Sequence, residues 1–525
     1  MSVSILVRLA ALLAAAIVTF AGSPALAEWR RAESPRFIVY SQGSEAGLRH
    51  YVQTLETYDF VLRVRMGLPL DQPPARKLPI YLVGGRGGLV QIHPPTGRDV
   101  AGIYFPVGED IFAAAIQDSQ QDFLLHEYFH HFSAEIGVTS YPGWLVEGLA
   151  EYFMTAKIRP GSVEIGGYNE NRVFVLLNLP WLSMDQLLTK RPGEITRQAD
   201  RDSYYPVAWL LTHWFMSDET RRAQLTEYTM AVQAGGDPVA AMEQATGLTL
   251  AEIRQAMRRH LQGRMPIRRY EIERAPVEIT VTQLPRSADD LLLLGQRLKV
   301  GVDDDQEGAT AEQVRRAAAR HPDDPFAMLQ LGHAELHFGD PAAGEAVLTR
   351  LLEIEPQNVE ALQLMASRYM ALAEERPDET TALLRQARGF LTHAYQADSG
   401  HYYTLYLIAQ TRVGAAGYPT ENDLVTWDLA HRAAPQLPSI RLGYASALME
   451  AGEFEQAIFK LQPLANAPHG GRAVEAAQGL LELARAGQAP PAEGIDPESV
   501  DREQQAPAEP ASPEGDPEPT PATAP

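Results

Sequence analysis

His126-Glu127-Tyr128-Phe129-His130 is the segment of this chain whose residue types and spacing could do chemistry. Histidines four apart on a helix project from one face, so two neutral imidazoles can bind the same ion. Glu127, beside them, can reach a water on that ion without being a ligand, which is the arrangement of metal-assisted hydrolysis with a glutamate base. Leu124, Leu125, Phe129 and Phe132 surround the histidines with the apolar residues that a helix buried on one side requires.

A zinc site needs a third protein donor. Trp144-Leu-Val-Glu147-Gly-Leu-Ala-Glu151-Tyr-Phe153 offers two carboxylates one turn apart on a second helix. Sixteen residues, including a Pro142-Gly143 turn, separate His130 from Glu147, enough for an antiparallel return of the chain to the ion. Gly148 permits a close helix approach. Glu151 is suited to orient a histidine through its other ring nitrogen. Spacing alone leaves both carboxylates open as the third ligand.

H-E-x-x-H followed by W-L-x-E-G-x-A-E-Y resembles the gluzincin superfamily of zinc metallopeptidases, specifically the bacterial peptidase MA-like proteins and the related DUF1570 group, over residues 35–265. The resemblance implies Zn2+ held by His126, His130 and Glu147, Glu127 as general base, and a peptide or protein substrate. The spacing to Glu147 is shorter than in gluzincin aminopeptidases, and no G-A-M-E-N-like strand is present, which disfavours recognition of a free amine. Val146 stands where relatives often place asparagine. Tyr204 and Tyr205 precede a helix through Ala208 to His213 that resembles the tyrosine-led helix after the gluzincin site. Tyr205 is the expected catalytic donor to an oxyanion, in preference to Tyr204. His213 either reaches the site or fills core. His131, about 100° around the helix from His130, reads as a solvated histidine rather than a donor to the site.

The elements that must position these groups follow from periodicity. Phe37–Tyr40, Pro79–Val83, 101–105 and 111–116 read as strands, and residues 44–68 as a helix with Leu48, Tyr51, Leu55, Tyr58 and Leu62 on one side. Gly84-Gly85-Arg86-Gly87-Gly88 lacks the phosphate-loop pattern and a following helix signal, and reads as a hairpin or mobile loop. Helices at 121–134 and 144–155 carry the candidate site, residues 165–265 are mainly helical, and 276–284 alternates as a strand that closes the unit. Farther on, His321-Pro322 and Glu355-Pro356 begin similar stretches offset by 34 residues, with Ala327 matching Ala361 and Gly332 matching Ala366. That period resembles tetratricopeptide repeats, which implies a protein partner on the helical repeats.

The expected fold class is α+β: a gluzincin-like zinc metallopeptidase domain over 28–300, followed by an all-α tetratricopeptide-like superhelical domain over 301–486. Residues 1–27 read as a signal peptide, with Arg8, an apolar run to Phe20 and Ala25-Leu26-Ala27 at the cleavage site, placing the protein in the periplasm or secreted. No integral membrane segment is expected beyond it. The 487–525 tail holds ten prolines from Pro490 onward, and nine acidic residues against one arginine give it −8 of the formal −22. It reads as disordered. A surplus of negative charge argues against a nucleic-acid partner, and zero cysteines exclude disulfides and thiolate ligands. The competing reading is a weak or inactive peptidase-fold scaffold that binds proteins through its repeats. A cell-wall peptide is a further candidate substrate.

Overall fold

The computed structural model describes residues 28–98, 100–117, 122–136, 141–273, 276–467, 471–491 and 500. The expected signal peptide and nearly all of the acidic tail lie outside these residues.

The first half is a mixed α/β unit built on β1 (Arg30–Glu33), β2 (Phe37–Ser41), α1 (Glu45–Met66), β3 (Leu78–Val83), α2 (Arg86–Ile92), β4 (Gly102–Pro106) and β5 (Ile111–Ile116). The candidate residues follow on α3 (Asp122–Glu135) and α4 (Gly143–Met154). Next come β6 (Lys157–Arg159), β7 (Ser162–Ile165), α5 (Glu170–Asn178), α6 (Met184–Thr189), α7 (Gln198–Met216), α8 (Glu219–Gln233), α9 (Pro238–Thr246), α10 (Leu250–Gln262), β8 (Arg268–Glu271) and β9 (Thr280–Gln283).

The main sheet has the order β4-β5-β3-β2-β1-β9, with β5, β3 and β2 parallel and the outer pairings antiparallel. A period of two sends alternate residues of β3 to opposite faces. Leu78, Ile80 and Leu82 join the core that includes α1, α3 and α4, while Tyr81 and Val83 join a second core on the other side. β3 is buried along its whole length, as a central strand covered on both faces must be. β9 supplies the closing strand expected near 276–284, pairing Val281 with Ala32. A smaller sheet, β6-β7-β8, stands apart.

The glycine cluster departs from the sequence expectation, because α2 begins inside it. Glycine weakens a helix by about 1 kcal/mol per residue, but Leu89 and Ile92 are completely buried against the sheet, and that burial outweighs the propensity. Gly88 is required there, since a Cβ would fall 2.5 Å from the Val83 side chain.

The second half is all helical: α11 (Ala288–Val300), α12 (Glu307–Ala318), α13 (Pro325–Phe338), α14 (Pro341–Ile354), α15 (Val359–Glu375), α16 (Thr380–Ala397), α17 (Tyr402–Gln410), α18 (Glu421–Ala433), α19 (Pro438–Glu450), α20 (Phe454–Ala465) and α21 (Arg472–Arg485). Short connections and aspartate or asparagine caps at Asp324, Asp340 and Asn358 set successive helices against each other. Gly332 lets α14 pack close, because a Cβ there would meet Leu348 at 2.5 Å. The matching Ala366 is fully buried. α11 joins the halves. Its Leu292, Leu293 and Val300 pack on the sheet, and its Leu291, Leu294 and Leu298 pack with α12 and α13. A helix apolar on opposite sides is buried between two layers. Among the described residues, no helix is long and apolar enough to cross a membrane.

Candidate metal centre

α3 is fixed from below by polar contacts. Tyr128 donates from its hydroxyl to Asp59 of α1 at 2.7 Å, and Asp59 is paired with Arg36 and Arg63 at 2.8 and 2.9 Å. Arg63 also reaches Glu135 at the end of α3. With Tyr128 directed into α1, the helical period turns His126 and His130 toward α4.

α4 is buried from Trp144 to Met154, yet it carries two carboxylates, Glu147 and Glu151, with no solvent exposure. A buried carboxylate is costly unless paired. Glu147 Oε2 lies 3.4 Å from His126 Nε2 and 3.5 Å from His130 Nε2, and the two histidine nitrogens are 3.1 Å apart. Tetrahedral coordination with bonds of about 2.0–2.1 Å places neighbouring donors about 3.3–3.4 Å from each other. The three atoms therefore form one face of a tetrahedron sized for zinc, and the residues fit the ion. The field there favours a cation. Burial pulls the His130 pKa down, but the carboxylates of Glu147, Glu127 and Glu151 outweigh it and hold the imidazole up to about 9. A metal ion would replace that proton.

Glu151 lies against the other ring nitrogen of His126. Its Oε1 is 3.5 Å from His126 Nδ1, and Arg172 grips both its oxygens at 2.7 and 2.8 Å. Arg172 is a functional candidate that sequence reasoning missed. The available signal was local: Asn169 accepts from the backbone N–H groups of Asn171 and Arg172 as a helix cap, projecting Arg172 from the first turn of α5.

The two tyrosines have different surroundings. Tyr204 is fully buried and donates to the Lys190 carbonyl at 3.3 Å. Tyr205 is only partly buried; its ring lies 6.5 Å from that of His126 and carries the Arg172 guanidinium 5.6 Å from its centre. Burial and then the charge of Glu147 keep its hydroxyl well above the ordinary tyrosine pKa, so it is a protonated donor at neutral pH. Glu127 is partly exposed, and its charge acts on both His130 and Tyr104.

Two other histidines have different environments. His131 is buried rather than solvated, because Tyr104 of β4 meets its Nδ1 at 2.9 Å and Gln436 donates to its carbonyl at 3.4 Å. Burial, then the nearby Arg76, lower its pKa to about 3. His213 fills core: its Nε2 donates to the Gly166 carbonyl at 3.1 Å, leaving Nδ1 to accept from His260 at 2.8 Å. Gly148 does permit close packing, but against α7, where a Cβ would lie 2.7 Å from the Ala208 carbonyl oxygen.

A second histidine and carboxylate group, Glu109, His333 and His337, also brings donor atoms within 4.8 Å of one another.

No family model matches this chain, and no curated protein matches it. A solved structure of a thermophilic TPR protein from Thermus thermophilus is similar at 19% identity, over 38% of this chain and 100% of that one, with a TM-score of 0.32. That likeness is too slight to assign the fold of the helical half.

Proposed function

We propose that this chain is a zinc-dependent peptidase, hydrolysing peptide bonds with Glu127 as general base, with His126, His130 and Glu147 holding the ion. The observation that carries the reading is the triangle of two imidazole nitrogens and one buried carboxylate oxygen, with edges of 3.1, 3.4 and 3.5 Å. A zinc ion bound there supplies Lewis acidity toward a carbonyl and lowers the pKa of water. Glu127, partly exposed beside the two histidines, takes the proton of the attacking water and returns it to the leaving amine. The Tyr205 hydroxyl donates to the developing oxyanion. The resemblance of the two helical motifs to gluzincins supports peptides as substrates. The sequence features of residues 1–27 support action in the periplasm or outside the cell.

A second reading is a peptidase-fold scaffold whose helical half binds proteins. It is favoured by apolar side chains left exposed there, including Phe459 at 72% and the α18 pair Val425 and Leu429 at 51% and 41%. Glu127→Gln separates the two. In the peptidase, hydrolysis of a mixed peptide library falls by at least about 100-fold, as loss of a general base requires, while bound zinc stays unchanged. Wild-type protein that holds zinc but cleaves no member of the library is the scaffold.

A further inference from the structure

We propose that Glu109, His333 and His337 form a second divalent transition-metal site, and that its ion clamps the helical half to the sheet. The three residues come from elements already held rigid. Glu109 sits in the turn joining β4 to β5, where Val107 and Asp110 exchange backbone hydrogen bonds at 3.0 and 3.1 Å. His333 and His337 are four apart on α13, hence on one face. The start of that helix is fixed by Asp324, which accepts from the Phe326 backbone and from Ser287.

His333 Nε2 lies 3.3 Å from Glu109 Oε2, again the edge length of a tetrahedral zinc site. His333 is 1% exposed, and apart from the Glu109 contact of Nε2 neither ring nitrogen has a hydrogen-bond partner among the described residues. Burying an imidazole in that state is costly, and an ion between Nε2 and Glu109 satisfies that nitrogen and lessens the cost. His337 is exposed, so water can complete the outer coordination positions. The neighbouring Lys299 does not oppose a cation with a free charge, because its Nζ is 2.9 Å from Glu360 and 3.8 Å from Asp110. Two imidazoles and one carboxylate suit zinc and its neighbours rather than magnesium or calcium. The group repeats the donor set of the first centre but contains no glutamate next to a histidine, so a holding role follows rather than a hydrolytic one.

The test uses the untagged full chain, stripped of metal, reloaded with Zn2+ and dialysed, with bound zinc measured by mass spectrometry and melting followed with and without the ion. The wild type should hold two equivalents. His337→Ala, a surface change, and Glu109→Gln should each hold one and lose part of the zinc-dependent rise in Tm. Glu147→Ala should lose the other equivalent, so its double variant with His337→Ala should hold none. Loss of one equivalent in His337→Ala but not in Glu147→Ala supports this second site while removing the proposed catalytic one. If the wild type, His337→Ala and Glu109→Gln bind the same amount of zinc, Glu109 and His333 are an ion pair only and the proposal is overturned.

Discussion

His126 Nδ1 lies 3.5 Å from Glu151 Oε1, while Nε2 of the same ring faces Glu147 Oε2 at 3.4 Å. One turn of α4 thus addresses both edges of a single imidazole. The two carboxylates have different surroundings: Glu147 shares the triangle with both histidines, and Glu151 pairs with Arg172 beside one of them. Glu151→Gln should weaken zinc binding by about 10–100-fold without abolishing it, the range expected for an orienting group. Arg172→Met should instead unfold the protein more easily, by about 3–5 kcal/mol, because it strands the buried Glu151 charge. Zinc titration and denaturant melts of both variants distinguish these effects.

Tyr205 and Tyr204 are adjacent in sequence but differ in surroundings. Removing the Tyr205 hydroxyl should lower kcat by about 100-fold or more, as loss of an oxyanion donor does, with zinc content unchanged. Tyr204→Phe should keep full activity and lose about 1 kcal/mol of stability, the worth of its hydrogen bond to Lys190. Equal kcat for wild type and Tyr205→Phe would remove Tyr205 from the reaction.

Gly148 is needed for packing, not for backbone freedom. In Gly148→Ala the new methyl group meets the Thr212 hydroxyl and the Ala208 carbonyl of α7, which should cost about 1–3 kcal/mol by overpacking. It should also displace Glu147 and so weaken zinc binding. A Tm equal to that of the wild type would show that α4 and α7 can separate freely.

Three histidines away from the candidate centre, His213 and His431 buried and His401 half-buried, predict acid sensitivity. Burial, then Arg441, Lys460 and Arg432, hold His431 down to about 2. Burial and neighbouring charge hold His213 and His401 to about 4. Histidine in an unfolded chain titrates near 6.5. Below that pH the unfolded state binds protons that these native histidines do not, so their contribution to stability is complete above about pH 6.5 and falls toward pH 4. The limiting slope is about 1.4 kcal/mol per pH unit for each histidine. His431 Nδ1 has no hydrogen-bond partner among the described residues, so His431→Leu should be tolerated at pH 7.5 and should flatten the slope. Identical slopes for the two proteins, measured by denaturant melts from pH 7.5 to 4.5, would contradict this.

Helix geometry explains how much of the candidate site was legible in sequence. A spacing of four determines that His126 and His130 share a face, and that His333 and His337 do. Periodicity also marked the strands that flank α3, and the 34-residue offset marked the helical pairs beginning at Pro325 and Val359. The glycine cluster misled because composition reports local preference, whereas α2 is stabilised by burying Leu89 and Ile92 against a sheet assembled from distant segments. His131 misled for a related reason: the flank of α3 that carries it looks solvent-facing until Tyr104 and Gln436 cover it. The choice of Glu147 over Glu151, the grip of Arg172 on Glu151, and the meeting of Glu109 with α13 depend on contacts between separate elements. Residue types and short-range spacing by themselves determined which chemistry this chain can offer. Only the tertiary structure decided which carboxylate stands with the histidines, because that depends on how α4 is seated between α3 and α7, and neighbouring residues do not encode that seating.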